Sequence, residues 1–268
     1  MVDLTVNNLK IGAKLILGNY GVQNESPQPI VWLKASPNCA FITESVLDYI
    51  CFDAKEPQSP EQSIRYGGNP QYNLSNIFSF LNSDAEEWFH PTHENDAAPV
   101  RHNGQRGLEY ESHYGFLYHF EEYENESLMC TTYAVDGEQV SSKIRLPSKE
   151  EILGAERFKL FSKKGIRPRG TYDMLTGRRA GFEESSYIDY WLCDKHASTF
   201  KVKTISRSGE IRKVSPQNPC GLRPVCCINP DTKLVIAGDG VYRIEPYVIR
   251  HNVYTDEELF GFLGMAQP

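Results

Sequence analysis

Cysteine thiols are the side chains of this 268-residue chain that could most readily do covalent or metal chemistry. They stand, with no Cys-x-x-Cys pair, at positions 39, 51, 130, 193, 220, 226 and 227. Cys226 and Cys227 are neighbours on a predicted strand, so their side chains should face opposite sides of the sheet. We interpret them as small buried apolar residues rather than a zinc or redox site, and the odd, scattered set is typical of a reducing cytoplasm.

A histidine-rich turn, His90-Pro91-Thr92-His93-Glu94, is the second candidate for metal binding. Its proline prevents the regular helix on which zinc peptidases hold such ligands, so loop packing is favoured. A lectin-type calcium site is not expected, because Gln217-Asn218-Pro219 has the required residues in the wrong order. No phosphate loop, nucleophile elbow or Ser-His-Asp arrangement can be read either. The sequence therefore predicts no catalytic residue, no metal and no cofactor, and a protein that is not an enzyme.

Non-covalent ligand binding is the chemistry that the sequence favours. An aromatic strand, Tyr190 to Cys193, leads into a polar loop from Asp194 to Thr199, and a Ser208-Gly209 turn follows. Aromatic rings beside hydrogen-bonding groups suit both sugars and protein epitopes. We interpret Trp191 as a core residue. The predicted ligand-binding residues are Tyr190, Lys195, His196, Ser198, Thr199, Arg207 and Arg212.

Hydrophobic periodicity predicts the elements that must position this loop. Apolar runs indicate strands at 14–18, 30–35, 40–43 and 46–52, while Leu74, Ile77, Phe78 and Leu81 share one helical face. Three capping boxes predict helix starts: Ser83 with Glu86, Ser148 with Glu151, and Thr255 with Glu258. We predict an α+β domain over 1–245 and a C-terminal extension over 246–268, whose Phe260, Phe262 and Leu263 are candidates for docking on a partner.

Charge and hydropathy narrow the range of partners. The chain has 28 basic and 35 acidic residues and a net charge of −7, which argues against a nucleic-acid groove. The basic stretch around Lys163, Lys164, Arg167 and Arg169 is interpreted as a solvated loop. No apolar stretch reaches the length of a membrane span, and Met1 to Leu9 does not read as a secretory signal. We predict no nucleic-acid partner and no membrane insertion.

Several ordered segments together resemble an uncharacterised C-type-lectin-like domain family of Firmicutes and their phages and prophages. The resemblance lies in Ile30-Val31-Trp32-Leu33, Phe41 to Leu47, Phe52-Asp53-Ala54, Tyr72 to Ser83, Trp88 to Ala97, Leu146 to Glu151, and the ending Tyr190-Trp191-Leu192 with Gly221-Leu222-Arg223-Pro224-Val225. Two departures are Cys193, where the family usually has Arg, and Cys226-Cys227, which replace a small and a large apolar residue. Arg223 should pair with a carboxylate or cap backbone carbonyls inside the fold.

The resemblance implies a C-type-lectin-like fold, with a twisted antiparallel sheet, two main helices and long inserted loops. It also implies a relationship to the formylglycine-generating-enzyme-like scaffold and to retroelement-diversified variable proteins. In those relatives the strands and loops just before Gly-x-Arg-Pro form the ligand-facing surface. We therefore expect a non-enzymatic binding or structural module of a phage virion, assembled in the bacterial host cytoplasm, such as a head or tail decoration, a fibre or an adhesin.

The expected partners are other virion proteins, further copies of the chain in a homo-oligomer, and a host-surface glycan or protein. Two alternatives stay open at this point. One is a formylglycine-generating-type cysteine oxidase that uses Cys220 with Cys226 or Cys227. The other is an assembly protein that docks through its C-terminal segment, Thr255 to Leu263.

Overall fold

A computed structural model describes residues 4–21, 26–90, 114–153, 189–195, 200–206 and 209–246 of the chain. Within these residues the helices are α1 Gln62–Gly67, α2 Asn76–Leu81, α3 Glu122–Ser127 and α4 Lys149–Leu153, and single 3₁₀ turns cover Val6–Asn8 and Tyr72–Leu74. The strands are β1 Lys14–Tyr20, β2 Gln28–Lys34, β3 Ala40–Thr43, β4 Asp48–Cys51, β5 Thr131–Val135, β6 Glu138–Ser142, β7 Ile144–Arg145, β8 Tyr190–Lys195, β9 Val202–Ile205, β10 Ile211–Val214, β11 Pro219–Leu222, β12 Val225–Cys227, β13 Leu234–Gly238 and β14 Val241–Ile244.

These strands form two main sheets and a separate hairpin. The larger sheet has the order β13-β14-β1-β2-β3-β12-β7, the smaller one has the order β10-β9-β8-β11-β4, and β5 pairs with β6 in a two-stranded sheet. Most neighbours are antiparallel, but β1 with β14 and β8 with β11 are parallel. The predicted α+β class with mainly antiparallel sheet is confirmed. Among the described residues, no helix is long and apolar enough to cross a membrane.

The strands predicted near the start of the sequence are confirmed. β1 to β4 all overlap the apolar runs read from the sequence. Trp32 on β2 is fully buried, and its indole Nε1 donates to the Leu17 carbonyl of β1 at 2.8 Å. The hydrogen bond satisfies the polar end of a large buried ring, so Trp32 fixes β1 and β2 to one another.

Helix α2 and helix α4 confirm two of the predicted helices, although both are short. Ser148 and Glu151 form the expected reciprocal cap of α4, with the Ser148 N–H donating to Oε2 of Glu151 at 2.9 Å and the Glu151 N–H donating to Oγ of Ser148 at 3.1 Å. Leu74, expected on the apolar face of α2, is 59% exposed because it lies in the 3₁₀ turn before that helix.

The helix predicted from Ser83 and Glu86 is wrong. The Ser83 carbonyl accepts the Leu117 N–H at 2.9 Å, and the Ala85 carbonyl accepts the Gly115 N–H at 2.8 Å. These carbonyls pair with a distant segment, so they cannot close a helical turn here. Trp88, predicted on this helix, is nevertheless buried, with its ring 5.3 Å from that of Phe80. The helix predicted at Thr255 lies outside the described residues, as does the extension beyond Pro246.

Strand β8 is buried on both of its faces. Trp191 and Cys193 pack into the larger core cluster, whereas Tyr190 and Leu192 pack into the smaller one. None of the four side chains is more than 1% exposed. A run of apolar residues without alternation is typical of such a strand.

Replacing Gly221 by Ala tests how closely β11 approaches β8. A Cβ at this position would stand 2.7 Å from the Asp189 carbonyl oxygen and 2.9 Å from Cγ1 of Val46. Strands β11 and β8 would have to move apart to make room for this Cβ. We therefore expect Gly221→Ala to lower the free energy of unfolding by about 1–3 kcal/mol. Urea denaturation measures the change.

Gly238→Ala is the matched control, because Gly238 also lies in a strand but its Cβ would meet no atom within 4 Å. Its free energy of unfolding should stay within about 1 kcal/mol of the wild-type value. Equal destabilisation of the two variants would contradict the close approach of β11 and β8.

A second prediction concerns pH and the buried carboxyl of Asp53. Asp53 accepts the Asn69 N–H at 2.6 Å and the Asn76 N–H at 2.9 Å, which ties the end of β4 to the start of α2. Burial raises its pKa to about 7, and the two backbone donors only partly oppose this shift. Folding therefore favours the protonated acid.

Because the folded pKa lies above the value of about 4 for an exposed aspartate, this stabilisation is complete below about pH 4 and is lost as the pH rises to about 7. We expect the free energy of unfolding of the wild type, relative to that of Asp53→Asn, to fall by about 1–4 kcal/mol across this interval. Urea denaturation at several pH values gives both profiles. Parallel profiles would show that Asp53 does not titrate there.

Candidate ligand-binding surface

The C-terminal end of β8 is where the buried sheet reaches the surface. Tyr190 to Cys193 are buried, but the next two side chains, Asp194 and Lys195, are half-buried. β9 pairs with β8, and β10 pairs with β9 at the edge of the smaller sheet as described. β8 therefore has a polar C-terminal end near the surface, while the rest of the strand is packed in the core on both faces.

Three elements meet around Asp194 and Lys195. Oδ2 of Asp194 accepts the Lys149 N–H at the start of α4 at 2.6 Å, and Oδ1 lies 3.8 Å from Nζ of Lys203 on β9. Burial raises the pKa of Asp194, and the Lys149 N–H and Lys203 oppose this effect. The Lys195 N–H donates to Oδ2 of Asp136, in the tight turn between β5 and β6, at 2.9 Å. These contacts fix the start of the polar loop.

A buried ion pair supports α4 beneath this surface. The guanidinium of Arg145 binds both carboxylate oxygens of Glu151, with Nη1 to Oε2 at 2.6 Å. Burial alone would raise the pKa of Glu151, but the hydrogen bonds and charge of Arg145 outweigh it and hold that pKa below its usual value. Glu151 therefore caps α4 and also anchors it to β7.

Five basic side chains on and beside strands β8, β9 and β10 form what we call the basic edge: Lys195 at the end of β8, Lys201 just before β9, Lys203 on β9, and Arg212 and Lys213 on β10. Lys203 and Lys213 are directly opposite one another in the β9–β10 register. Like charges in that position destabilise a sheet, which is unusual unless the charge has a use. Phe200, just before β9, adds an aromatic ring that is 55% exposed.

The basic edge stands out against the charge of the whole chain. Residues 194–213 contain six basic and two acidic residues, whereas the chain has a net charge of −7. Exposed cations beside an exposed ring can bind an acidic group through charge and a sugar or side chain through stacking. The arrangement suits non-covalent recognition of an anionic partner.

The predicted ligand-binding residues are placed differently by the fold. Lys195 and Arg212 lie on the basic edge, with Arg212 exposed. Tyr190 has no exposed surface, so it cannot contact a ligand and instead supports the sheet from the smaller core cluster. The other four, together with the predicted docking residues, lie outside the described residues; they are His196, Ser198, Thr199, Arg207, Phe260, Phe262 and Leu263.

Arg223 of the Gly-x-Arg-Pro segment has the structural role predicted from the sequence. Only 2% of it is exposed, and its Nε donates to the Thr43 carbonyl at 3.0 Å. Its guanidinium also lies over the ring of Tyr190, 5.3 Å from the centroid. Burial lowers the pKa of Arg223, and Tyr190 opposes that shift. The prediction that Arg223 caps a backbone carbonyl is confirmed.

Sequence reading missed Lys201, Lys203 and Lys213. These lysines do not form a consecutive basic run, because in a hairpin the neighbouring side chains lie across the turn rather than along the chain. The sequence does contain a signal for them. Lys201-Val202-Lys203 and Arg212-Lys213 lie on either side of the predicted Ser208-Gly209 turn, so a hairpin would bring them together.

The cysteines of the oxidase alternative lie in different sheets. Cys220 is on β11 of the smaller sheet, whereas Cys226 and Cys227 are on β12 of the larger one. Cys220 and Cys226 are buried, as interpreted from the sequence. In the part of the chain that the structure describes, no three His, Cys, Asp or Glu side chains are grouped so that they could hold a metal ion.

Comparison with other proteins gives one match. No curated protein and no solved structure shows significant similarity to this chain. A family model described as "Domain of unknown function (DUF6273)" matches residues 41–230, more than two thirds of the 268 residues. The matched range begins in β3 and includes β8, the basic edge and the Gly-x-Arg-Pro segment. The chain therefore belongs to the DUF6273 family.

Proposed function

We propose that this protein is a non-enzymatic binding module of a phage virion, which presents the basic edge and its connecting loops to a host-surface glycan or protein. One observation carries the proposal: β8, buried on both faces, pairs with β9, and β9 pairs with β10, which carries exposed cations. A surface held by the core loses little conformational entropy when it binds a partner.

The charge of the basic edge favours an acidic partner. Lys201, Arg212 and Lys213 are all exposed, so a carboxylate or phosphate group can approach them. A cation near the surface attracts an anion over about 8–10 Å at physiological salt, and the attraction weakens as salt is added. We propose an acidic glycan or an acidic protein patch as the ligand class.

The fold we propose is C-type-lectin-like. Supporting it, the segments that carry the resemblance occupy structural positions: Trp32 and Trp191 are fully buried, and Arg223 donates to the carbonyl of Thr43 at the end of β3. The mainly antiparallel sheets and short helices agree with such a domain. The virion location, with assembly in the host cytoplasm beside other virion proteins, rests on the resemblance alone.

A triple variant tests the binding face. We expect Lys201→Gln, Arg212→Gln and Lys213→Gln together to weaken binding to isolated cell envelopes of the host bacterium by roughly three- to hundredfold, because each exposed charge pair contributes about 0.2–1 kcal/mol. Sedimentation of the fluorescently labelled protein with envelopes measures the affinity. Binding of the wild type should also fall as sodium chloride is raised.

The matched control removes three exposed cations elsewhere, at Lys10, Lys55 and Arg243. Both triple variants have the same net charge, so a general charge effect would weaken them equally. Equal affinity of the two variants would refute the basic edge as the binding face. The virion location is tested separately, by mass spectrometry of purified phage particles, and absence of the chain from them would refute it.

A further inference from the structure

Two thiols that are distant in sequence meet at the surface of the larger sheet. Sγ of Cys39 lies 2.6 Å from Sγ of Cys227. Cys39 ends the turn before β3, and Cys227 ends β12, which pairs with β3. The Ile228 N–H also donates to the Cys39 carbonyl at 3.1 Å, so the backbone holds the two residues side by side.

Cys227 and the preceding residue, Cys226, face opposite sides of β12. Cys226 packs into the larger core cluster, while Cys227 points to the other side of the strand and meets Cys39. The sequence predicted that the two side chains face opposite sides of the sheet, but it did not predict that Cys227 contacts Cys39. The separation of the two sulfurs exceeds a disulfide bond length by only about 0.6 Å.

The two thiols of the pair differ from one another in access to solvent. Cys39 is partly exposed, whereas Cys227 is 8% exposed. Among the other cysteines, Cys130 is exposed and the rest are buried, so none of them combines an accessible thiol with a buried one already in contact. A soluble oxidant can therefore reach Cys39 before Cys227, which is already in place to complete the reaction.

Electrostatics favours Cys39 as the attacking group. The hydrogen bond with the Cys227 thiol lowers the pKa of Cys39 to about 7, burial opposes this, and the nearby charges of Arg145 and Lys34 lower it further. The same interaction raises the pKa of Cys227, which therefore keeps its proton. A thiolate is the nucleophile in thiol–disulfide exchange.

We propose that Cys39 and Cys227 are a modification site, at which a low-molecular-weight disulfide such as glutathione disulfide oxidises them to a reversible disulfide bond. The Cys39 thiolate attacks one sulfur of the small disulfide, forms a mixed disulfide and releases one thiol. Cys227 then loses its proton, attacks Sγ of Cys39 and displaces the second thiol. Two cysteines lose two electrons and two protons, and one small disulfide becomes two thiols.

The bond would join the turn before β3 to the end of β12. Both strands have a neighbour on each side in the larger sheet. It would join residues 188 positions apart, and a long closed loop restricts the unfolded chain strongly. The expected effect is a more stable domain in oxidising surroundings. This inference does not depend on the proposed ligand-binding function.

The test uses the full wild-type chain, fully reduced and then incubated with glutathione disulfide. After alkylation in denaturant, we expect Cys39 and Cys227 to be neither alkylated nor glutathionylated, and a proteolytic peptide pair that links Cys39 to Cys227. The midpoint of thermal unfolding should rise by about 4–16 °C relative to the reduced protein. Added dithiothreitol should reverse both changes.

Cys227→Ser should abolish the linked peptide and the thermal shift, whereas Cys130→Ser should retain both. Seven alkylated cysteines in the oxidised wild type would overturn the proposal. So would a stable glutathione adduct on Cys39 with Cys227 still alkylated, or a disulfide between other cysteines. These readouts come from the wild type, so they stand even if a variant fails to fold.

Discussion

The structure depends most on the burial of β8 between two apolar clusters. A strand that is packed on both faces cannot shift its register without exposing large rings on one side and creating clashes on the other. Trp191 adds a directional constraint, because its indole Nε1 donates to the Ile50 carbonyl of β4 at 2.8 Å. The position of the neighbouring strands β9 and β10, and with them the basic edge, follows from this fixed strand.

The Gly-x-Arg-Pro segment holds β8 on the side opposite to β9, where β11 pairs with it. Gly221 lets β11 approach β8 closely enough for its N–H to donate to the Asp189 carbonyl at 2.8 Å. Two residues later, Arg223 lies over the ring of Tyr190 and bonds to Thr43. The Gly-x-Arg-Pro segment is therefore a packing device that holds β11 against β8 and β3.

The two proposals concern different sheets and depend on different interactions. The basic edge belongs to the smaller sheet and relies on exposed charge, which salt can screen. The Cys39–Cys227 pair belongs to the larger sheet and relies on two thiols that the β3–β12 ladder holds together. A binding surface on one sheet and a covalent clamp on the other would allow recognition to vary while the frame stays constant.

The sequence by itself determined the features that depend on near neighbours. Alternation located β1 to β4, and a three-residue spacing located the cap of α4 at Ser148 and Glu151. It failed at Ser83, because the carbonyls there pair with Gly115 and Leu117 instead of closing a helix. The burial of Tyr190, the opposed lysines of β9 and β10, and the meeting of Cys39 with Cys227 were decided by tertiary structure. Each depends on which distant strands become adjacent, and no local periodicity encodes that choice.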